Sequence, residues 1–182
     1  MYRQNQLPSR VPERHRAQHP MSGTTNLPDD ELVAPADAHF ALVATRFNGD
    51  IVGRLLAGAE AALRAHGIPG ERIEQVLVPG AWELPLAADR LAASGRFAAV
   101  VAMGCVIRGD TRHFEHVADE SARGLMRVQL DRGVPVANAV LAVELRADAE
   151  ARADGVHGNK GADAARAALA MAGLCARLER AA

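Results

Sequence analysis

The stretch Gly104-Cys105-Val106-Ile107-Arg108-Gly109-Asp110-Thr111-Arg112-His113-Phe114-Glu115-His116-Val117 carries more chemistry than any other part of the chain. An apolar run, Ala98 to Ile107, stops there at a small, polar, positively charged turn. A buried strand delivers reactive groups to a sheet edge in this way. Gly109 lets backbone amides turn toward a ligand, and Gly109, Asp110 and Thr111 are expected to open the next helix, so that free N–H groups and the positive end of its dipole face an anion. Thr111 adds a hydroxyl, and Arg108 and Arg112 add charge. His113 is a proton carrier, able to give or take a proton near neutral pH. Together they suit proton transfer on a phosphorylated substrate.

From His39 onward the pattern alternates strand and helix. Phe40–Ala44, Ile73–Val78, Ala98–Ile107 and Val134–Val143 read as strands. The third is nearly continuous in apolar residues, as a strand covered on both faces should be. Asp50–His66 has helical spacing of Ile51, Leu55, Leu56, Ala59 and Leu63. Trp82–Ala93, Thr111–Asp131, Leu145–Ala153 and Asn159–Arg180 are the other helices, the last with Ala164, Ala168, Met171 and Leu174 facing inward. Such alternation implies a parallel sheet with helices on both faces, and ligands then bind beyond the carboxyl ends of the strands. The chain places Arg46-Phe47-Asn48 after the first strand, Pro79-Gly80-Ala81-Trp82-Glu83 after the second, the Gly109 turn after the third and Asn138 in the fourth. These four groups are expected to converge on one rim.

Composition bounds the rest. The 182 residues, 49% hydrophobic with a net charge of -1, can bury one full core. Near-neutral charge argues against nucleic acid or an anionic membrane as partner, and 3% aromatic content leaves no stacking platform for single strands. Cys105 and Cys175 are not spaced as metal ligands and read as small buried hydrophobes in a reducing cytoplasm. Residues 1 to about 37 are rich in Pro, Arg, Gln, Ser, Thr and Asp without apolar period, so an extended or disordered tail is expected before a single domain at 38–182. Met21 offers a second start, and Pro8, Pro12 and Pro20 spoil an amphipathic targeting helix. Lys160 is the only lysine among 21 basic residues, which marks it as a place where a compact charge serves substrate.

Three blocks, Gly80-Ala81-Trp82-Glu83-Leu84-Pro85-Leu86-Ala87, Gly104 to Val117, and Gly158-Asn159-Lys160-Gly161 with its Ala-rich helix, resemble the 6,7-dimethyl-8-ribityllumazine synthase family in order and spacing. The likeness runs from about Phe40 to Leu178. It implies a single three-layer α/β/α domain with a parallel, flavodoxin-like four-stranded sheet. The reaction it implies condenses 5-amino-6-(D-ribitylamino)uracil with 3,4-dihydroxy-2-butanone 4-phosphate, without metal or prosthetic group, through an imine, loss of phosphate and ring closure with loss of water. Phe47 matches the aromatic that stacks on the pyrimidine. Ala81, Trp82 and Glu83, with Cys105, Val106 and Ile107, match the segments that hold the pyrimidine and its ribityl chain, Glu83 accepting ribityl hydroxyls. Asn138 matches a position supplied by a neighbouring subunit. Gly109, Asp110, Thr111 and Arg152 match the phosphate site, and His113 the proton-transfer residue.

The same likeness implies a homopentamer, and riboflavin synthase as a partner. The connection before Gly158 has no inserted loop, which favours assembly of pentamers into a sixty-subunit icosahedral shell. This chain departs from the family pattern at Cys105, His116, Ala142, Val143 and the connection Asp154-Gly155-Val156-His157. A lumazine- or flavin-binding paralogue, or a shell protein of the same fold, is the competing reading; intact Glu83, His113, Arg152 and Lys160 favour the enzyme. A flavodoxin-type electron carrier needs a hydroxyl-rich phosphate loop after the first strand, and Arg46-Phe47-Asn48-Gly49-Asp50 is not one.

Overall fold

A computed structural model describes residues 27–181. The chain runs β1 (Phe40–Thr45), α1 (Gly49–Ala65), β2 (Ile73–Val78), α2 (Leu84–Ala93), β3 (Ala99–Ile107), α3 (His113–Arg132), β4 (Val136–Val143), α4 (Arg146–Glu150), a small hairpin of β5 (Ala153–Gly155) and β6 (Gly158–Asn159), and α5 (Lys160–Ala181). The four long strands form a parallel sheet in the order β2-β1-β3-β4. Strand β1 is buried along its whole length and β3 from Ala99 to Cys105, because both are central and covered on both faces. The edge strands are more exposed: β2 is buried only at Val78, and β4 mixes buried with exposed positions.

Two apolar clusters sandwich the sheet. One joins Phe40, Leu42 and Met103 to Ile51, Leu55 and Leu63 of α1 and Ala165, Ala168 and Leu169 of α5. The other joins Val43, Val100 and Ala102 to Leu84 and Ala88 of α2 and Leu125 and Val128 of α3. The three-layer expectation holds, and every long strand and helix expected from the sequence is present.

Four differences are informative. Helix α3 begins at His113 rather than Thr111, so Gly109, Asp110 and Thr111 form the loop that enters the helix rather than its first turn. The inward face of α5 is Gly161, Ala164, Ala165, Ala168, Leu169 and Ala172, while Met171 and Leu174 are 42% and 36% exposed. Small residues win that face because α5 presses onto the backbone of α1: a Cβ on Gly161 would stand 2.1 Å from the Leu55 carbonyl oxygen. The β5–β6 hairpin has no apolar pattern and was not expected from sequence; Val156 at its tip is 89% exposed. Finally, residues 27–37, read as part of the tail, lie against the domain. Leu32 is buried, Arg72 donates to the Ala36 carbonyl, and a Cβ on Gly173 would meet the Val33 carbonyl oxygen at 2.1 Å. The tail expected over 1–26 lies outside the described residues.

Candidate active site

The loops after β1 and β2 meet the end of β3 and the start of α3 in one cleft of about 590 Å³ at the carboxyl ends of these strands. Its walls are Phe47 and Asn48, Gly80 to Glu83, Cys105 to Ile107, and His113, His116 and Val117. Strands β2 and β3 lie on opposite sides of β1, so the cleft opens where the loops after β1 diverge from their neighbours. Ligands bind at such a switch point in doubly wound sheets.

Each wall is held by a specific contact. The loop after β1 is tied to β2 by backbone bonds from Arg46 N–H to the Val78 carbonyl (2.9 Å) and from Phe47 N–H to the Pro79 carbonyl (3.2 Å). Asn48 adopts a left-handed conformation (φ 52°) and its Nδ2 donates to the Cys105 carbonyl at 2.9 Å, tying the same loop to β3. Asn tolerates this conformation better than most residues, which is the signal that marks Asn48 as a structural lock for the cleft. These ties leave the Phe47 ring 73% exposed, a flat apolar face open to a planar ligand. Gly80 makes room for it: a Cβ there would come 3.4 Å from the Phe47 ring and 3.3 Å from Glu83 Oε2. Glu83 Oε2 accepts the Gly80 N–H at 2.9 Å, so the carboxylate is fixed at the cleft wall. Trp82 is 58% exposed and lines the cleft rather than the core.

On the β3 side Cys105 forms part of the floor. Burial pushes its thiol up to about 11, so at neutral pH it is an uncharged, apolar surface rather than a nucleophile. His113, the first residue of α3, stands exposed at the mouth, and His116 one turn later faces the same cleft. Every residue of the loop from Gly109 to Arg112 is exposed. Its charge differs from the sequence reading, because Arg108 is already paired with Glu115 and Glu144, at 2.6 Å each. Arg112 is therefore the arginine of this turn left beside the N-terminal end of α3.

Gly109, Asp110 and Thr111 lie in that exposed loop and not in the cleft wall, and three further candidate residues sit elsewhere. Asn138 is mid-strand on β4, opposite Ala102, and not at the carboxyl rim. With Val140, Ala142, Arg152, Lys160 and Asp163 it lines a second concavity of about 440 Å³ at the free edge of the sheet. Asn138 Oδ1 accepts its neighbour's Val140 N–H at 2.8 Å. Arg152 Nη1 donates to the Asp148 carbonyl at 2.8 Å, and Lys160 Nζ pairs with Asp163 at 2.8 Å. The first two polar groups and the residues flanking the third thus converge, and the fourth belongs to a different surface.

The family model for 6,7-dimethyl-8-ribityllumazine synthase matches residues 37–176. The chain belongs to the 6,7-dimethyl-8-ribityllumazine synthase family. It is 57% identical over 150 residues to the protein of that name from Stenotrophomonas maltophilia (strain R551-3), spanning 82% of this chain and 97% of that one. The proteins of that name from Xanthomonas euvesicatoria pv. vesicatoria and Xanthomonas campestris pv. campestris (strain B100) are 57% and 56% identical over 140 residues, spanning 77% of this chain and 91% of each relative. The region shared with the lumazine synthase family contains both concavities. Of the positions read from sequence as departing from the family pattern, Cys105 and His116 line the cleft, and Ala142 and Val143 line the β4 concavity. Asp154, with φ 82°, and Val156 and His157 form the exposed β5–β6 turn. Among the described residues no helix is long and apolar enough to cross a membrane.

Proposed function

We propose that this chain condenses 5-amino-6-(D-ribitylamino)uracil with 3,4-dihydroxy-2-butanone 4-phosphate at the cleft beyond β1, β2 and β3, a transferase step of riboflavin biosynthesis. The observation that carries the assignment is a family match over residues 37–176 whose cleft walls combine an exposed aromatic face, a fixed carboxylate and a histidine at a helix start. Phe47 stacks on the pyrimidine. Glu83 accepts ribityl hydroxyls, and Ala81, Trp82, Cys105, Val106 and Ile107 shape the wall around them. Gly109, Asp110 and Thr111 offer the phosphate the open approach to the α3 N-terminus, where a free-ended helix favours an anion. Asp110 contributes its amide.

His113 stands between the two substrate ends and exchanges the protons that imine formation, enolisation and loss of phosphate require. General acid–base assistance of this kind contributes roughly 10²- to 10⁴-fold, and holding the two reactants side by side supplies much of the rest. Mixing purified protein with both substrates and following lumazine absorbance tests the assignment. A protein that binds the pyrimidine yet forms no product with both substrates present is a binding paralogue instead.

The assembly belongs to the same proposal. Asn138, Arg152 and Lys160 face away from the cleft on the unpaired edge of β4, so they reach substrate only if a second copy brings that edge against the first copy's cleft. A ring of five subunits completes every cleft in turn, and pentamers pack further into an icosahedral shell. The short β5–β6 turn leaves no loop to obstruct that packing. Riboflavin synthase is the partner that consumes the product. Two free cysteines, one buried and one half-buried, suit a reducing cytoplasm. Light scattering on the full chain and on a chain lacking residues 1–26 separates the outcomes: a monomer or dimer refutes shared sites, and a lone pentamer in both refutes the shell.

A further inference from the structure

We propose that Arg108 is a positioning residue that sets the place of His113 by bracing the start of α3 against the ends of β3 and β4. Its backbone N–H donates to the Val143 carbonyl at 3.0 Å. Its Nε donates to Glu144 Oε2 just past β4 at 2.6 Å, and its Nη1 to Glu115 Oε1 in the first turn of α3 at 2.6 Å. The guanidinium plane lies over the Phe114 ring, 4.3 Å from its centroid. One side chain therefore grips the two residues that follow His113 and anchors them to a neighbouring strand. Arg108 makes the only salt bridge to Glu115 among the described residues, and the other carboxylate oxygen, Oε2, is buried with no hydrogen-bond partner there.

Little else holds this corner. Residues Gly109 to Arg112 are all exposed, and no side chain caps the start of α3. The local bond from His113 N–H to Thr111 Oγ1 is a long 3.4 Å. The contacts of Arg108 are half-exposed, so they contribute little to global stability. Their value is geometric, since a proton carrier displaced by about 1 Å can lose roughly a hundredfold in rate. Lysine cannot replace the brace: a single ammonium lacks both the planar fork that spans two carboxylates and the flat face that lies on Phe114.

This inference rests on the lumazine synthase reading of the cleft, and its test separates the two. Arg108→Ala is made in the parent and in a His113→Ala background, with kcat and both KM values measured for each. The expected result in the parent is a kcat lower by about 10- to 100-fold, with each KM changed less than about threefold. In the His113→Ala background the same change alters kcat by less than about twofold, because the residue it positions is gone. Arg108→Lys and Glu144→Gln give the same pattern at smaller size, and they carry the test if Arg108→Ala does not fold. An equal loss in both backgrounds, an unchanged kcat, or a rise confined to the KM of the butanone phosphate overturns the proposal; the last would make Arg108 a phosphate ligand.

A second arm needs no turnover. Amide hydrogen exchange across residues 109–116 is expected to quicken by about tenfold in Arg108→Ala or Arg108→Lys, while the rest of the domain is unchanged. Unaltered exchange there refutes the brace. A parent that makes no lumazine refutes only the reaction assignment.

Discussion

Gly161→Ala puts a methyl group where α1 and α5 touch. The ideal Cβ would lie 2.1 Å from the Leu55 carbonyl oxygen, 2.7 Å from its carbon and 3.0 Å from Asn159 Oδ1. Carbon–oxygen contacts settle at about 3.3 Å or beyond, so the first turn of α5 has to withdraw by roughly 1 Å. The obstacle is backbone in the middle of α1, beneath a fully buried Leu55, and it cannot rotate aside. Withdrawal also opens the Asn159 bracket, in which Nδ2 donates to the Arg54 carbonyl at 2.8 Å and Oδ1 accepts the Ala162 N–H at 3.0 Å.

Overpacking costs about 1–3 kcal/mol and each lost hydrogen bond about 1 kcal/mol, against a helix-propensity gain of about 1 kcal/mol. With both Asn159 bonds lost, the net is a loss of about 2–4 kcal/mol, a fall in Tm of roughly 4–16 °C for a chain of this size. Calorimetry at fixed protein concentration measures it, since association also shifts Tm. Gly53→Ala is the control: no atom lies within 4 Å of its Cβ position within α1, so the same substitution should raise stability by about 0.5–1 kcal/mol. A Gly161→Ala protein melting at or above the parent, with Gly53→Ala behaving as expected, would refute the close-packing reasoning.

His113→Ala should lower kcat by roughly 10- to 1,000-fold while pyrimidine affinity changes less than about threefold in a titration; unchanged turnover removes it from the proton path. Arg152→Lys keeps the charge and loses the fork, so steady-state kinetics should show KM rising for the butanone phosphate more than for the pyrimidine. Equal effects on both substrates would place Arg152 elsewhere. Because burial holds the Cys105 thiol up at about 11 against an ordinary 9, the folded chain keeps its proton more tightly than the unfolded one. That contribution is full below pH 9 and lost as pH rises through 11. Denaturant titrations should therefore find the stability difference between parent and Cys105→Ala narrowing across that window, and a difference constant from pH 8 to 11 would contradict it. At pH 8 iodoacetamide should leave Cys105 unmodified in the native protein, as mass spectrometry of the peptide would show.

The strands were legible because burial on both faces writes an unbroken apolar run, as in Phe40–Thr45 and Ala99–Ile107. Most of the cleft was legible too, because the loops after three successive strands carry Phe47, Glu83 and His113, and the topology of a doubly wound sheet decides where such loops go. Other features were not. The face of α5 was misread because bulky residues such as Met171 and Leu174 look like core, whereas the geometry rewards alanine and glycine where two helix backbones approach. Glycine beside Lys160 reads equally well as a ligand loop or as a contact point, and only the Leu55 carbonyl decides between them. Arg108 looked like a free charge of the turn because Glu144 is 36 residues away in sequence and nothing local announces the pairing. Asn138 fell into the wrong group because a polar residue in a strand says nothing about how far along that strand it sits.

The same Asn138 bears on solubility. Strand β4 ends the sheet, and an exposed edge offers unpaired amides to any extended segment that comes near. By folding its side-chain oxygen back onto the Val140 N–H, Asn138 withdraws one of those donors from the rim. An apolar residue there would leave that amide open on an edge already rich in valine and alanine, a template for strand addition during synthesis, before any neighbour covers it. Engineering at this position therefore changes aggregation during folding as well as whatever Asn138 contributes to a completed cleft.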